Sequence, residues 1–290
     1  MPIDPAVAIG ATLPEREFEW STSDVLLYHL ALGAGAPPTL PRELRYATEQ
    51  DTQVLPTFAV VAGTLRETEA PRVSYPGIQI DLAKVLHGSQ RVEAHRPLPV
   101  SGKARAQVRV ADVFDKGSAA VVVTETAVHD LDGQPLWTAT SSIFARGEGG
   151  FGGERGPSGS NARPEREPDA LIYTKTLPQQ ALWYRLLGDR NPLHSDPEFA
   201  AAAGFPAPIL HGLATFGIVC KSLVDELLDG DVTRVRAFGV RFTGVVFPGE
   251  TLRTEAWRDN TANGERFVVR TSVHERDGAP ALSDAELVLA

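Results

Sequence analysis

The chain has 290 residues, 42% of them apolar and 22% charged, enough to bury the core of one large domain or of two ordinary ones. With 28 Lys and Arg against 37 Asp and Glu the net charge is −9, and no basic run is long enough to track phosphates, which disfavours nucleic acid and anionic membranes as partners. A lone Cys220 and dispersed histidines exclude an intrachain disulfide and a zinc-type ligand cluster, so a reducing compartment and no metal are expected.

The N-terminal residues MPIDPAVAIGATLPEREFEW contain neither a basic segment nor a long apolar run, and nothing downstream approaches the roughly 18 apolar residues of a membrane helix, so the expectation is a cytoplasmic protein without a membrane span. The first half carries a strand-rich run over residues 87–98, 104–113, 119–129 and 135–145. Its last two strands are joined by Leu131-Asp132-Gly133-Gln134, a hairpin signal. Residues 147–168 are rich in Gly and Pro and lack apolar periodicity, which reads as a flexible linker between units 1–146 and 169–290. Beyond it, Asp196 as N-cap and Pro197 as first residue announce a short helix that stops at Gly204. Phe216, Val219, Cys220, Leu223, Val224 and Leu227 form one apolar stripe on a helix over 213–228, ended by Asp229-Gly230. Strands follow over 232–247, 252–259, 265–275 and 281–290, with Asp277-Gly278 as a turn.

Both halves thus close on an antiparallel meander, and short words recur in order. Residues 32–37 (LGAGAP) match 187–192 (LGDRNP) at an offset of 155, and 100–102 match 247–249 at an offset of 147. The pattern predicts a duplicated domain. The copies differ where it matters chemically, because Ala34, Ala36 and Thr39 stand opposite Asp189, Asn191 and His194.

Residues 187–196 are the densest chemical segment. A carboxylate and an imidazole five residues apart, in a loop punctuated by Gly and Pro, can converge on one water as acid/base equipment. The same spacing also fits Asx turns beside a solvated histidine. Pro206 to Gly212 leads into the apolar helix, whose first turn leaves N–H groups unpaired. Gly212 there lets a ligand oxygen approach the main chain, or merely allows close helix–sheet packing with His211 as a satisfied boundary residue.

Gly188-Asp189-x-Asn191-Pro192-Leu193-His194-x-Asp196-Pro197, followed by residues 200–205 and Ile209-Leu210-His211-Gly212-Leu213, resembles the MaoC-like hydratases, closely the two-domain (R)-specific enoyl-CoA hydratase 2 group. Glu43-Leu44-Arg45-Tyr46, Leu55-Pro56-Thr57-Phe58-Ala59 and Leu86-His87-Gly88-Ser89-Gln90 resemble the non-catalytic N-terminal domain of that group. The resemblance covers most of the chain apart from the linker and the extreme N-terminus. It implies an α+β double hot-dog, with two antiparallel sheets each wrapped around a long central helix. Residues 213–228 would be the C-terminal central helix, and 56–64 would begin a degenerate counterpart. It further implies hydration of trans-2-enoyl-CoA to (3R)-3-hydroxyacyl-CoA, or the reverse dehydration, with no metal or redox cofactor. Asp189 and His194 would be the catalytic pair, Gly212 the backbone donor to the thioester oxygen, and Asn191 and His211 supports.

Arg190 and Arg241 are the candidates for meeting CoA phosphates. The first half is expected to accommodate the acyl chain, with Gly33, Gly35, Gly63 and Gly77 giving room, or else to act only as a pseudo-dimer partner covering a sheet edge. The expected partner is an acyl-CoA, and a homodimer is compatible with this arrangement. A 3-hydroxyacyl-ACP dehydratase, a hot-dog thioesterase and a non-catalytic acyl-thioester binder are the competing readings.

Overall fold

In a computed structural model, which describes residues 3–157, 164–261 and 264–290, the first half runs through α1 (Pro5–Ala8), β1 (Arg16–Trp20), α2 (Thr22–Ala31), α3 (Pro41–Ala47), β2 (Val73–Tyr75), β3 (Ile78–Ile80), β4 (Val85–Ala94), β5 (Gly102–Asp115), β6 (Ala119–Asp130) and β7 (Pro135–Arg146). The second half follows with β8 (Ala170–Lys175), α4 (Gln180–Tyr184), α5 (Pro197–Ala202), α6 (Gly212–Leu227), β9 (Val235–Phe242), β10 (Thr251–Thr261), β11 (Gly264–Val273) and β12 (Ala279–Leu289).

The two expected sheets join into one antiparallel sheet of order β1-β5-β6-β7-β4-β9-β12-β11-β10-β8. Exchanging each strand for its counterpart in the other half reads the order backwards, the pseudo-two-fold that duplication produces. The axis passes through the β4–β9 seam, where Ser89 faces Arg241 and Glu93 faces Ala237. Joining at the seam removes one exposed edge from each half. β9 ends at Phe242, short of residue 247, because the apolar residues Val245 and Phe247 leave the strand and pack with Leu193, Ala200 and Ile209.

The stripe on α6 is buried as the spacing requires, with Phe216 stacked on Phe238 at a ring distance of 4.8 Å. Asp229 (φ 60°) and Gly230 (φ 78°) take left-handed conformations just beyond its end. The counterpart in the first half shrinks to a 3-10 turn over Pro56–Val60, so the described residues hold one long central helix where two were expected. Thr57, Val60 and Val61 are β-branched and Gly63 follows, a run with poor helix propensity. Its place beside Trp20 and Trp137 is filled by Phe58, whose ring lies 6.4 Å from that of Trp20.

The expectation of a flexible linker fails over residues 147–157. The Asp115 carboxylate accepts from the N–H groups of Gly117, Gly150 and Gly152 at 2.7, 2.9 and 2.7 Å, Lys84 pairs with buried Glu148 at 2.6 Å, and Phe151 packs on a small apolar cluster. Glycines that look like looseness in sequence serve here as close-approaching donors. Residues 158–163 of the expected linker lie outside the described residues.

Candidate active site

Gly188 sets the path of the polar loop over residues 187–196. It has φ 108°, and a Cβ on it would lie 1.9 Å from the Thr64 carbonyl oxygen, so the loop can pass this close to the first half only through glycine. Asp189 comes next, and its Oδ1 accepts from the Asn191 N–H at 3.2 Å. The Asn191 side chain accepts from the Leu193 N–H at 3.1 Å, capping the 3-10 turn Pro192–His194 that carries the imidazole. The Asx contacts of the alternative reading are present, but the histidine beside them is buried rather than solvated. Asp196 caps α5 by accepting from Glu198 and Phe199 N–H at 2.9 and 3.2 Å.

His194 is buried, and its Nδ1 lies 2.9 Å from the Ile209 carbonyl oxygen. A carbonyl only accepts, so Nδ1 carries the proton and Nε2 is left as the basic nitrogen. The His211 ring stacks on it with centroids 3.7 Å apart, and His211 Nε2 donates to the Asp189 carbonyl oxygen at 3.3 Å. Burial lowers the pKa of both imidazoles, and for His194 the Asp189 charge opposes that fall. One oxygen of Asp189 and one ring nitrogen each of His194 and His211 all lie within 4.8 Å of one another, a volume that suits a single water. Gly212 opens α6, and the N-cap His211 makes no side-chain cap, so the first turn presents unshared N–H groups and the positive end of a 16-residue helix.

One cavity of about 480 Å³ gathers Asp189, Asn191, His194 and Gly212 with Arg241. The first half supplies part of its wall, chiefly Val85, Leu86, His87, Ile143 and Phe144. None of Gly33, Gly35, Gly63 or Gly77 lines it, which corrects the expected source of acyl room: Gly77 turns the β2–β3 hairpin at φ 72°, and Gly33 and Gly35 end α2. Arg241 stands at the cavity paired to Asp284 at 3.6 Å, whereas Arg190 is not among the lining residues and its Nε reaches the Glu67 carbonyl at 3.4 Å. His87 also lines the cavity, a position to which local sequence assigns no chemistry. It is half-buried at the cavity wall, desolvation pushes its pKa down to about 4, and the Asp189 charge opposes the shift.

These features place a carboxylate, two imidazoles and a helix N-terminus at one cavity of a double hot-dog. Residues 18–147 match the profile described as MFE-2 hydratase 2 N-terminal domain, and residues 160–278 match MaoC like domain. The chain is 58% identical to the enoyl-CoA hydratase ChsH3 of Mycobacterium tuberculosis over 99% of each chain. It is 40% identical to the peroxisomal enoyl-CoA hydratase 2 of Arabidopsis thaliana, over 91% of this chain and 89% of that one. A solved MaoC-like dehydratase from Phytophthora capsici superposes with a TM-score of 0.86 at 31% identity, over 98% of this chain and 96% of that one. The chain belongs to the MaoC-like enoyl-CoA hydratase 2 family of hydro-lyases. No helix among the described residues is long and apolar enough to cross a membrane.

Proposed function

We propose that this chain adds water to trans-2-enoyl-CoA to give (3R)-3-hydroxyacyl-CoA, or runs the reverse dehydration, using Asp189 and His194 as the acid/base pair. The observation that carries this reading is their convergence beside the N-terminus of α6 in one cavity. In the forward direction the pair holds a water whose oxygen bonds to C3. One of the two groups takes a water proton and a proton is delivered to C2, while charge building on the thioester oxygen meets the Gly212 N–H and the helix N-terminus.

The apolar wall from Val85, Leu86, Ile143 and Phe144 supports acyl-chain accommodation by the first half. The reaction so written calls on no metal or redox cofactor, because the acid/base pair moves the protons and the helix N-terminus meets the charge. Cytoplasmic location and a homodimer remain part of the proposal. Incubation with crotonyl-CoA and with a long-chain trans-2-enoyl-CoA, following loss of enoyl absorbance and product chirality, tests it. The expected outcome is an (R) product, with turnover unaffected by a chelator. An (S) product overturns the assignment, and a higher kcat/KM on ACP thioesters moves the carrier.

A further inference from the structure

The first half lacks the catalytic loop, yet it places a polar pair where it reaches the thioester end of the site. Gly88 begins the arrangement. A Cβ there would lie 2.7 Å from Ser142 Oγ, and the β4–β7 register slips between His87 and Ser89. His87 Nε2 lies 2.9 Å from Ser141 Oγ on β7, which fixes the rotation of the imidazole. Its ring packs on Phe242 with centroids 4.8 Å apart. Phe242 in turn lies against Gly212, since a Cβ at 212 would be 3.2 Å from its Cδ1 and Cε1. A contiguous chain therefore runs from Ser141 and His87 in the first half, through Phe242 on β9, to the first residue of α6.

We propose that His87 is a positioning residue for the hydration: it seats Phe242 against Gly212 and so fixes where the substrate thioester meets the helix N-terminus. The proposal rests on the reading of Gly212 as the thioester donor. Desolvation keeps the ring neutral, so it packs against Phe242 without carrying a charge that would need solvation. A shift of Phe242 by an ångström is enough to matter, because rates fall steeply when reacting atoms leave the near-attack arrangement.

The test is a set of steady-state measurements on crotonyl-CoA and a long-chain enoyl-CoA with His87→Ala, His87→Phe, Ser141→Ala, Phe242→Ala and the His87→Ala/Phe242→Ala double variant. His87→Ala should lower kcat about 10- to 100-fold on both substrates, with KM moving far less. His87→Phe, which keeps a ring seat, should recover much of the loss, and the double variant should be no worse than the poorer single. Three results overturn the proposal: His87→Ala within about twofold of the parent kcat, losses that add in the double variant, or a loss that grows with acyl length as a chain-wall role requires. If His87→Ala does not fold, Ser141→Ala carries the decision, since it removes only the hydroxyl that holds the ring, and an unchanged kcat overturns the proposal. Asp189→Ala run in parallel separates the two readings, because hydration surviving in that variant defeats the proposed function, whereas its loss beside a normal His87→Ala defeats only the relay.

Discussion

At one end of the β4–β9 seam lies the cavity of about 480 Å³ that holds Asp189 and His194, and at the other end lies a cleft of about 420 Å³. The pseudo-two-fold makes them mates. At the offset of 155, Val54 stands where Ile209 stands; at 150, the offset between the turns capped by Asp81 and Asp231, Leu82, Val85 and Leu86 stand where Val232, Val235 and Arg236 stand. In the mate cleft the charged wall residues are already paired. Arg236 meets Glu93 at 3.1 Å, Arg96 binds Asp130, and His95 Nε2 lies 2.9 Å from Thr138 Oγ1. The long helix is missing there, and Ala34, Ala36 and Thr39 replace the polar loop. Duplication supplied two clefts of similar size. What separates them is a helix long enough to present a strong N-terminus and a loop that brings a carboxylate to an imidazole.

Moving the equipment between the two ends is the harshest way to break this comparison. Asp189→Ala or His194→Gln should lower kcat about 10²- to 10⁴-fold with the fold retained, measured by enoyl absorbance and circular dichroism. Installing Ala34→Asp, Ala36→Asn and Thr39→His in the Asp189→Ala background should restore nothing, because the Pro56–Val60 turn offers no long-helix N-terminus. Turnover above the Asp189→Ala background would show that the loop alone defines the site.

The next comparison uses equivalent glycines. Gly33 and Gly188 both follow a leucine at a helix end with φ 91° and 108°. A Cβ at Gly33 meets only Gln180 Nε2, at an ordinary contact distance of 3.4 Å, whereas one at Gly188 lands 1.9 Å from a main-chain oxygen. Gly33→Ala should therefore cost backbone strain alone, about 1–3 kcal/mol. Gly188→Ala should exceed about 3 kcal/mol and lower kcat as well, because Asp189 must move with it. Urea melts with parallel kinetics check both, and equal costs would remove the asymmetry.

Local signals made much of this legible. The stripe on α6, the meanders, the Asp196 and Pro197 helix start and the ordered polar loop all follow from spacing within a few residues. Edge strands β1 and β8 and helices α2 and α3 went unread, although the Ser21/Asp24 capping box, with Asp24 Oδ2 accepting from Ser21 N at 2.8 Å, and Pro41 at a helix start were available in sequence. Other features are non-local. Gly150 and Gly152 bind a carboxylate 35 and 37 residues away, and His87 meets Phe242 only because the seam brings the halves together. Arg190 reads as a phosphate contact in sequence and becomes a joint to Glu67 in the fold.

The gentlest comparison is by pH. Each half carries two histidines whose folded pKa is lowered by desolvation: His29 to about 3 and His87 to about 4 in the first, His194 and His211 in the second. Each unfolded imidazole titrates near 6.5 and takes up a proton that the native ring refuses, so stability rises with pH up to about 6.5 and is lost below it, by up to roughly 1.4 kcal/mol per pH unit per group. Asp24, Asp115 and Glu275, each held down to about 2 by hydrogen bonds, act in the same direction but only below about pH 4, where their stabilisation disappears as they protonate. Between pH 5 and 6.5 the histidines therefore dominate, and the thermal midpoint should fall across that window while the acid limb of kcat, set by His194, lies below 6.5. His29 is structural: its Nδ1 lies 3.0 Å from the Tyr46 carbonyl oxygen and its Nε2 accepts from the Leu55 N–H at 3.3 Å. His29→Gln should flatten the stability slope by one proton and leave the acid limb of kcat in place. If both move together, the two halves do not titrate independently and the division between a structural and a catalytic copy fails.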